Sequence, residues 1–283
     1  MESLISRNKF AGMARGACAA ALMLGGATST LLGSTVLVDF SDALGSGGPG
    51  GTWNTVATPA AITAGVGLLD VGGVATGISV SRTAGNLIES SNTGPLVFVH
   101  DSGVYAGLPA WAASTSNNLA AGDIFYTDNG TVQGTATLTF TGLTVGNVLS
   151  MDILSSRNAA SASGGFFEYS LDGGTTWAGF SVLDANGVLE TDNGWGLGVT
   201  TVQGGKSFNS FTDGFSEHRY LNVAGVVLTG TTLQLRLWDA NLTSGHFTAL
   251  NALRLEVGAV PEPGIGFLLL GALGGMLLKR RRC

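Results

Sequence analysis

"TLQLRLW", Thr232–Trp238, decides the fold class. Leu233, Leu235 and Leu237 stand at every second position, with Gln234, Arg236 and Trp238 between them. Successive side chains of a strand point to opposite faces, so the three leucines share one face and call for a core. The same period recurs in "TATLTFT", Thr135–Thr141, where Ala136, Leu138 and Phe140 oppose threonines. It recurs again in "LNALRLEV", Leu250–Val257, through Leu253, Leu255 and Val257. Further strands are expected at Thr35–Phe40, Gly77–Arg82, Leu96–Val99, Asp123–Thr127, Val148–Leu154 and Arg219–Leu228. Turns such as Asp128-Asn129-Gly130 and Leu143–Asn147 separate them, and no long amphipathic pattern intervenes between Thr35 and Val257. Many short strands with one polar face predict an all-β fold, an antiparallel two-sheet sandwich spanning residues 35–258.

Composition agrees. The chain has 283 residues, 45 of them glycine, and only 11% are charged. Abundant Gly, Thr and Val with little charge favours short strands and many turns over long helices. Between residues 35 and 258 there are 17 acidic residues against six basic ones. A nucleic-acid-binding domain shows the opposite balance, so no nucleic-acid partner is expected. Cys18 and Cys283 both lie in terminal segments, which leaves the central domain without a disulfide, a thiol nucleophile or a cysteine metal site.

"FEYSLDGGTTWAGF", Phe167–Phe180, reads as a strand, a turn and a return strand. Within it Ser170, Asp172, Gly174, Thr176 and Trp177 spell S-x-D-x-G-x-T-W. Asp accepts hydrogen bonds from the turn's own N–H groups, glycine supplies positive φ, and Trp177 can pack on the hairpin. The spacing resembles the Asp-box, a hairpin repeated in sialidases and other β-propeller proteins, where it is mostly structural. A propeller needs repeats, because each blade is covered by a neighbour. "YTDNGTV" (Tyr126–Val132) and "LDANGV" (Leu183–Val188) lack the tryptophan and read as ordinary turns, so the propeller is not expected.

Both termini read as addresses. A basic segment through Arg15 precedes the apolar run Ala17–Leu24 and then Ala27-Thr28-Ser29, the form of a Sec-type signal peptide over residues 1–34 and a substrate of signal peptidase. Arg15-Gly16-Ala17 before Cys18 is not a lipobox. At the other end, Pro261-Glu262-Pro263 precedes 15 uncharged residues, Gly264–Leu278, and then the basic stop Lys279, Arg280, Arg281, Arg282. As a helix the run spans about 22 Å, short of the ~30 Å hydrocarbon core, so it makes a weak anchor. This tripartite segment, residues 260–283, resembles the PEP-CTERM sorting signal of Gram-negative bacteria. The resemblance implies recognition by exosortase, a membrane protease acting near Pro261–Pro263, and transient anchoring before release to the cell surface or medium. It also implies an association with exopolysaccharide or biofilm. The ectodomain resembles the jelly-roll sandwiches often joined to such tails, through "VLVDFSD", "TATLTFTGL" and "SGHFTALNALRLEV".

Residues that could carry chemistry are few. His100, His218 and His246 make no metal spacing, and no G-x-S-x-G elbow exposes a serine. Glu168, Glu190 and Glu217 are the candidates for a glycosidase pair. Trp111, Trp195, Phe208, Phe211 and Phe215 lie in loop-like sequence rich in Gly, Asn and Asp, where aromatic faces can stack on sugar rings. Asp39, Asp42 and Asp239 offer hard oxygens for a structural calcium; no other cofactor is expected. Three functions fit. The terminal signals favour a non-enzymatic surface or matrix protein, followed by a carbohydrate-binding module and then a glycoside-active enzyme.

Overall fold

The computed structural model describes residues 33–40, 53–91, 111, 123–127, 134–157, 165–191, 207–217, 219–239 and 248–259. In chain order the strands are β1 (Ser34–Phe40), β2 (Trp53–Val56), β3 (Val66–Leu69), β4 (Ala75–Gly85) and β5 (Leu87–Ser91). Next come β6 (Asp123–Thr127), β7 (Thr135–Thr141), β8 (Val148–Leu154), β9 (Gly165–Ser170) and β10 (Ala178–Gly179). The last are β11 (Ser181–Leu183), β12 (Tyr220–Val227), β13 (Thr232–Asp239), β14 (Ala249–Leu250) and β15 (Ala252–Gly258). One short helix, α1 (Pro59–Ala64), and one π-helical turn at Ser210–Ser216 complete the described residues.

The strands form a first sheet in the order β11-β12-β8-β15-β1-β2 and a second in the order β10-β9-β13-β7-β4-β3. A small third sheet runs β14-β6-β5. The first two sheets pack as a sandwich, the predicted all-β class. Eight strands carry the topology: β1, β7, β8, β9, β10, β12, β13 and β15. Among them the first pairs with the last, the second with the seventh, the third with the sixth and the fourth with the fifth. That nesting is the folded-over hairpin of a jelly roll. The chain crosses between sheets at Phe180: β10 just before it pairs with β9 in the second sheet, and β11 just after it pairs with β12 in the first. Phe180 is buried at the crossing.

The period-2 reading accounts for the core. Leu233, Leu235 and Leu237 are fully buried, as are Ala136, Leu138 and Phe140, and all belong to one cluster with Val36, Val38, Met151, Leu253 and Leu255 of the first sheet. Gly142, with φ +81°, turns the chain out of β7; a Cβ there would come 2.1 Å from the Gly77 carbonyl oxygen, so both conformation and space require glycine.

Several expectations need correction. The sheets are not wholly antiparallel, because β2 runs parallel to β1. A parallel pair needs a crossover of about a dozen residues, and residues 41–52 supply that length. Asn54 of β2 then clamps the sandwich edge: its amide nitrogen donates to the carbonyls of Leu37 (2.9 Å) and Leu69 (2.8 Å), and its oxygen accepts the Leu69 N–H (2.7 Å). Leu250–Val257 is not one strand. The chain breaks at Asn251, whose side-chain oxygen accepts the Ser156 N–H at 2.7 Å while its backbone bonds Phe40 and Leu154. The expected Gly77–Arg82 extends to Ala75–Gly85 through a bulge, and Arg219–Leu228 shortens to Tyr220–Val227. Leu96–Val99, residues 1–32 of the expected signal peptide and the hydrophobic tail lie outside the described residues, while Ser34, the last residue of the expected signal segment, begins β1. Among the described residues no helix is long and apolar enough to cross a membrane.

Candidate functional site

The hairpin from β9 to β10 pairs Tyr169 with Ala178 and Glu168 with Gly179. Its turn is organised by one carboxylate. Asp172 Oδ1 accepts the N–H groups of Thr175 (3.0 Å) and Thr176 (2.9 Å), and Oδ2 accepts the Thr176 hydroxyl at 2.7 Å. The buried Ser170 hydroxyl donates to Asp172 Oδ1 (2.8 Å) and accepts the Gly174 N–H (2.8 Å). These bonds favour the charged form, led by those from Thr176, and hold the Asp172 carboxyl down to about 2. Gly173 and Gly174 take the positive φ of the turn, +72° and +89°. The Trp177 indole then folds back, its Nε1 donating to the Gly174 carbonyl at 3.0 Å.

Trp177 closes over a charge pair on the outer face of the second sheet. Arg236 of β13 stands directly opposite Glu168 of β9 in the ladder. Its Nε donates to Glu168 Oε2 at 3.0 Å, and Nη2 bonds the same oxygen. Its guanidinium carbon lies 4.1 Å from the centre of the Trp177 ring and 5.5 Å from that of Trp238. Trp238 in turn packs on Phe166, its ladder partner, with ring centres 5.0 Å apart. The outward positions of β9 and β13 thus carry an aromatic row with a neutralised ion pair at its middle.

The first sheet carries a counterpart. Trp53, Leu37, Arg254, Asp152, Asn222 and Ser181 form one row straight across its six strands. Asp152 is buried; Arg254 Nε donates to its Oδ2 (2.6 Å) and Asn222 to its Oδ1 (2.6 Å). Trp111 lies above this row, 5.7 Å from the Arg254 guanidinium, stacked on Trp53 at 6.5 Å and edge-on to Tyr220 at 6.4 Å. Burial, and secondarily the Asp152 charge, pushes the Tyr220 phenol above its ordinary value.

The candidate glutamates do not converge on an open pair. Glu168 belongs to Arg236, whereas Glu190 and Glu217 both bond Arg219, which also holds Asp213 at 3.1 Å. Phe208 is a core residue and not an exposed ring, because it is drawn in by its two backbone bonds with Gly165. Trp111 is partly buried on the first sheet. Asp39 is buried on β1, and among the described residues no three His, Cys, Asp or Glu side chains are grouped so that they could hold a metal ion. Trp195, Asp42, the three histidines, Pro261–Pro263 and Lys279–Arg282 lie outside the described residues, as do the side chains of Phe211, Phe215 and Asp239. Sequence reading missed Asp152, Arg254, Arg236 and Trp238 as cluster members. Each occupied an outward position of a legible strand, but the alternation does not say which strands are neighbours.

The fold and the two arginine-centred rows define a jelly-roll sandwich with an aromatic outer face on each sheet. No family model matches the chain, and no curated protein matches it in sequence.

Proposed function

We propose that the chain is an exported, non-catalytic surface or matrix protein, sorted through the PEP-CTERM-like tail and associated with exopolysaccharide. Signal peptidase and an exosortase-type protease are its processing partners. The observation that carries the non-catalytic reading is the engagement of Glu168, Glu190 and Glu217 by arginines. A glycosidase needs two carboxyls facing each other across a substrate, whereas Glu168 is bonded to Arg236, and Glu190 and Glu217 to Arg219. Order of the tail (Pro-Glu-Pro, apolar run, basic stop) supports the sorting half. Fractionation of cells making the chain tests it: the expected location is the cell surface or medium, and a purely cytosolic protein contradicts it. Carbohydrate binding is a second reading, favoured by the aromatic row of β9 and β13. Glycoside hydrolysis is the third; turnover of a polysaccharide that is abolished by Glu168→Gln would establish it over the other two.

A further inference from the structure

We propose that the end of the sandwich at which β15 finishes rests on a lipid bilayer while the C-terminal segment is anchored there. The proposal rests on the anchoring part of the reading above and adds which surface of the folded domain meets the membrane. Among the described residues six large hydrophobic side chains are exposed: Leu69, Val71, Val74, Val145, Val188 and Val227. Five of them share one end. β15 finishes there at Gly258, paired with Val148 of β8, and Val227 closes β12 against the same Val148. Val145 lies in the turn before β8, where the Gly146 N–H donates to the Leu228 carbonyl at 2.8 Å. On the other side of β15, β1 starts at Ser34, and the Val71 N–H donates to the Thr35 carbonyl at 2.8 Å. Val71 stands in the turn between β3 and β4, flanked by Leu69 and Val74. Val188 lies elsewhere, in the turn after β11, which pairs with the opposite end of β12 at Tyr220.

Exposed aliphatic side chains gathered on turns mark a contact surface, and the chain itself says what faces this one. Only residues 259–263 separate Gly258 from the uncharged run Gly264–Leu278, so the run begins within about 17 Å of this end. As a helix the run is about 22 Å long, against a hydrocarbon core of ~30 Å. A span that is too short draws its flanks toward the membrane, and the flank on this side is the valine-bearing end. The contact is apolar and not electrostatic. Asp70 and Asp172 are the charged groups of the turns described here, since the Asp172 turn places Leu171 beside Gly230. Both carboxylates are held by their own turns, Asp70 by the N–H groups of Gly72 (2.8 Å) and Val74 (2.9 Å). An acidic end gains nothing from anionic headgroups, so added salt should not release it.

The test uses the full chain with Cys18→Ser and Cys283→Ser, reconstituted in phosphatidylcholine vesicles. It carries one environment-sensitive dye at a time, on Val74→Cys, Val227→Cys or Val188→Cys. Flotation reports anchoring, and nitroxide-labelled acyl chains report which dye lies in the membrane interface. The dyes on Val74→Cys and Val227→Cys should shift to the blue and be quenched, in low and in high salt. The dye on Val188→Cys should show neither effect. Unfolding midpoints of the labelled chains check that each keeps its fold. Flotation with equal quenching at the three positions, or with none, overturns the proposal and leaves the anchoring reading standing. Quenching that salt abolishes overturns it as well. A blue shift at Val74→Cys without quenching also overturns it, because the chain's own tail or a second copy would then cover this end. Failure to float overturns the proposal and the anchoring reading together.

Discussion

Asp172 makes the case at the scale of a residue. Its carboxylate is solvent-exposed, yet four bonds from Thr175 and Thr176 and one from Ser170 hold its acidity at about 2, below the ordinary 3.8. A carboxyl depressed in the folded state contributes stability that is present above the unfolded value and lost as pH falls through the folded one. The unfolding midpoint should therefore drop between about pH 4 and pH 2, and Asp172→Asn should flatten that part of the profile. A thermal scan across that range checks both. Glu168 behaves differently because it is buried. Removing one partner of a buried ion pair costs about 3–5 kcal/mol. Arg236 keeps 28% exposure and its indole contacts, so Glu168→Ala should cost roughly 2–3 kcal/mol by urea unfolding. No change in stability would mean that the pair is incidental to the fold.

At the scale of an element, the outcome depends on which face of a strand a residue occupies. Leu235 of β13 is fully buried, and Leu235→Ala should cost about 2–5 kcal/mol. Trp177 is only partly buried on its hairpin, so Trp177→Ala should cost about 2–3 kcal/mol, below the range for a core tryptophan. A larger loss at Trp177 than at Leu235, measured by denaturant unfolding, would contradict this assignment of faces. Those faces were legible in the sequence because the period of 2 states directly which side chains go inward. The strands that escaped were β2, β3, β5 and β11, each of three to five residues, too short to show a period. The parallel pairing of β2 also escaped, because the Asn54 clamp joins residues 15 and 17 positions apart and leaves no local pattern. The hairpin was readable because every bond of Asp172 falls within four residues. The ion pairs were not: Glu168 and Arg236 are 68 residues apart, and Asp152 and Arg254 are 102 apart.

At the scale of the whole molecule, the sandwich and the terminal segments make one account. β1 begins at Ser34, which pairs with Val257 of β15. The first and last strands of the jelly roll thus lie side by side, with residues 1–33 leading into one and Pro261-Glu262-Pro263 following the other. Cleavage after Ser29 would leave β1 whole, and cleavage near Pro261 would leave β15 whole, so both ends can be removed without opening the fold. The central claim is that the mature protein is this sandwich, released from a processed precursor. Intact-mass measurement of the protein recovered from the cell surface or medium tests it most directly. The account predicts a species lacking the N-terminal residues up to Ser29 or Ser34 and lacking the tail beyond Pro261–Pro263. A cytosolic species with the full mass of Met1–Cys283 would contradict it.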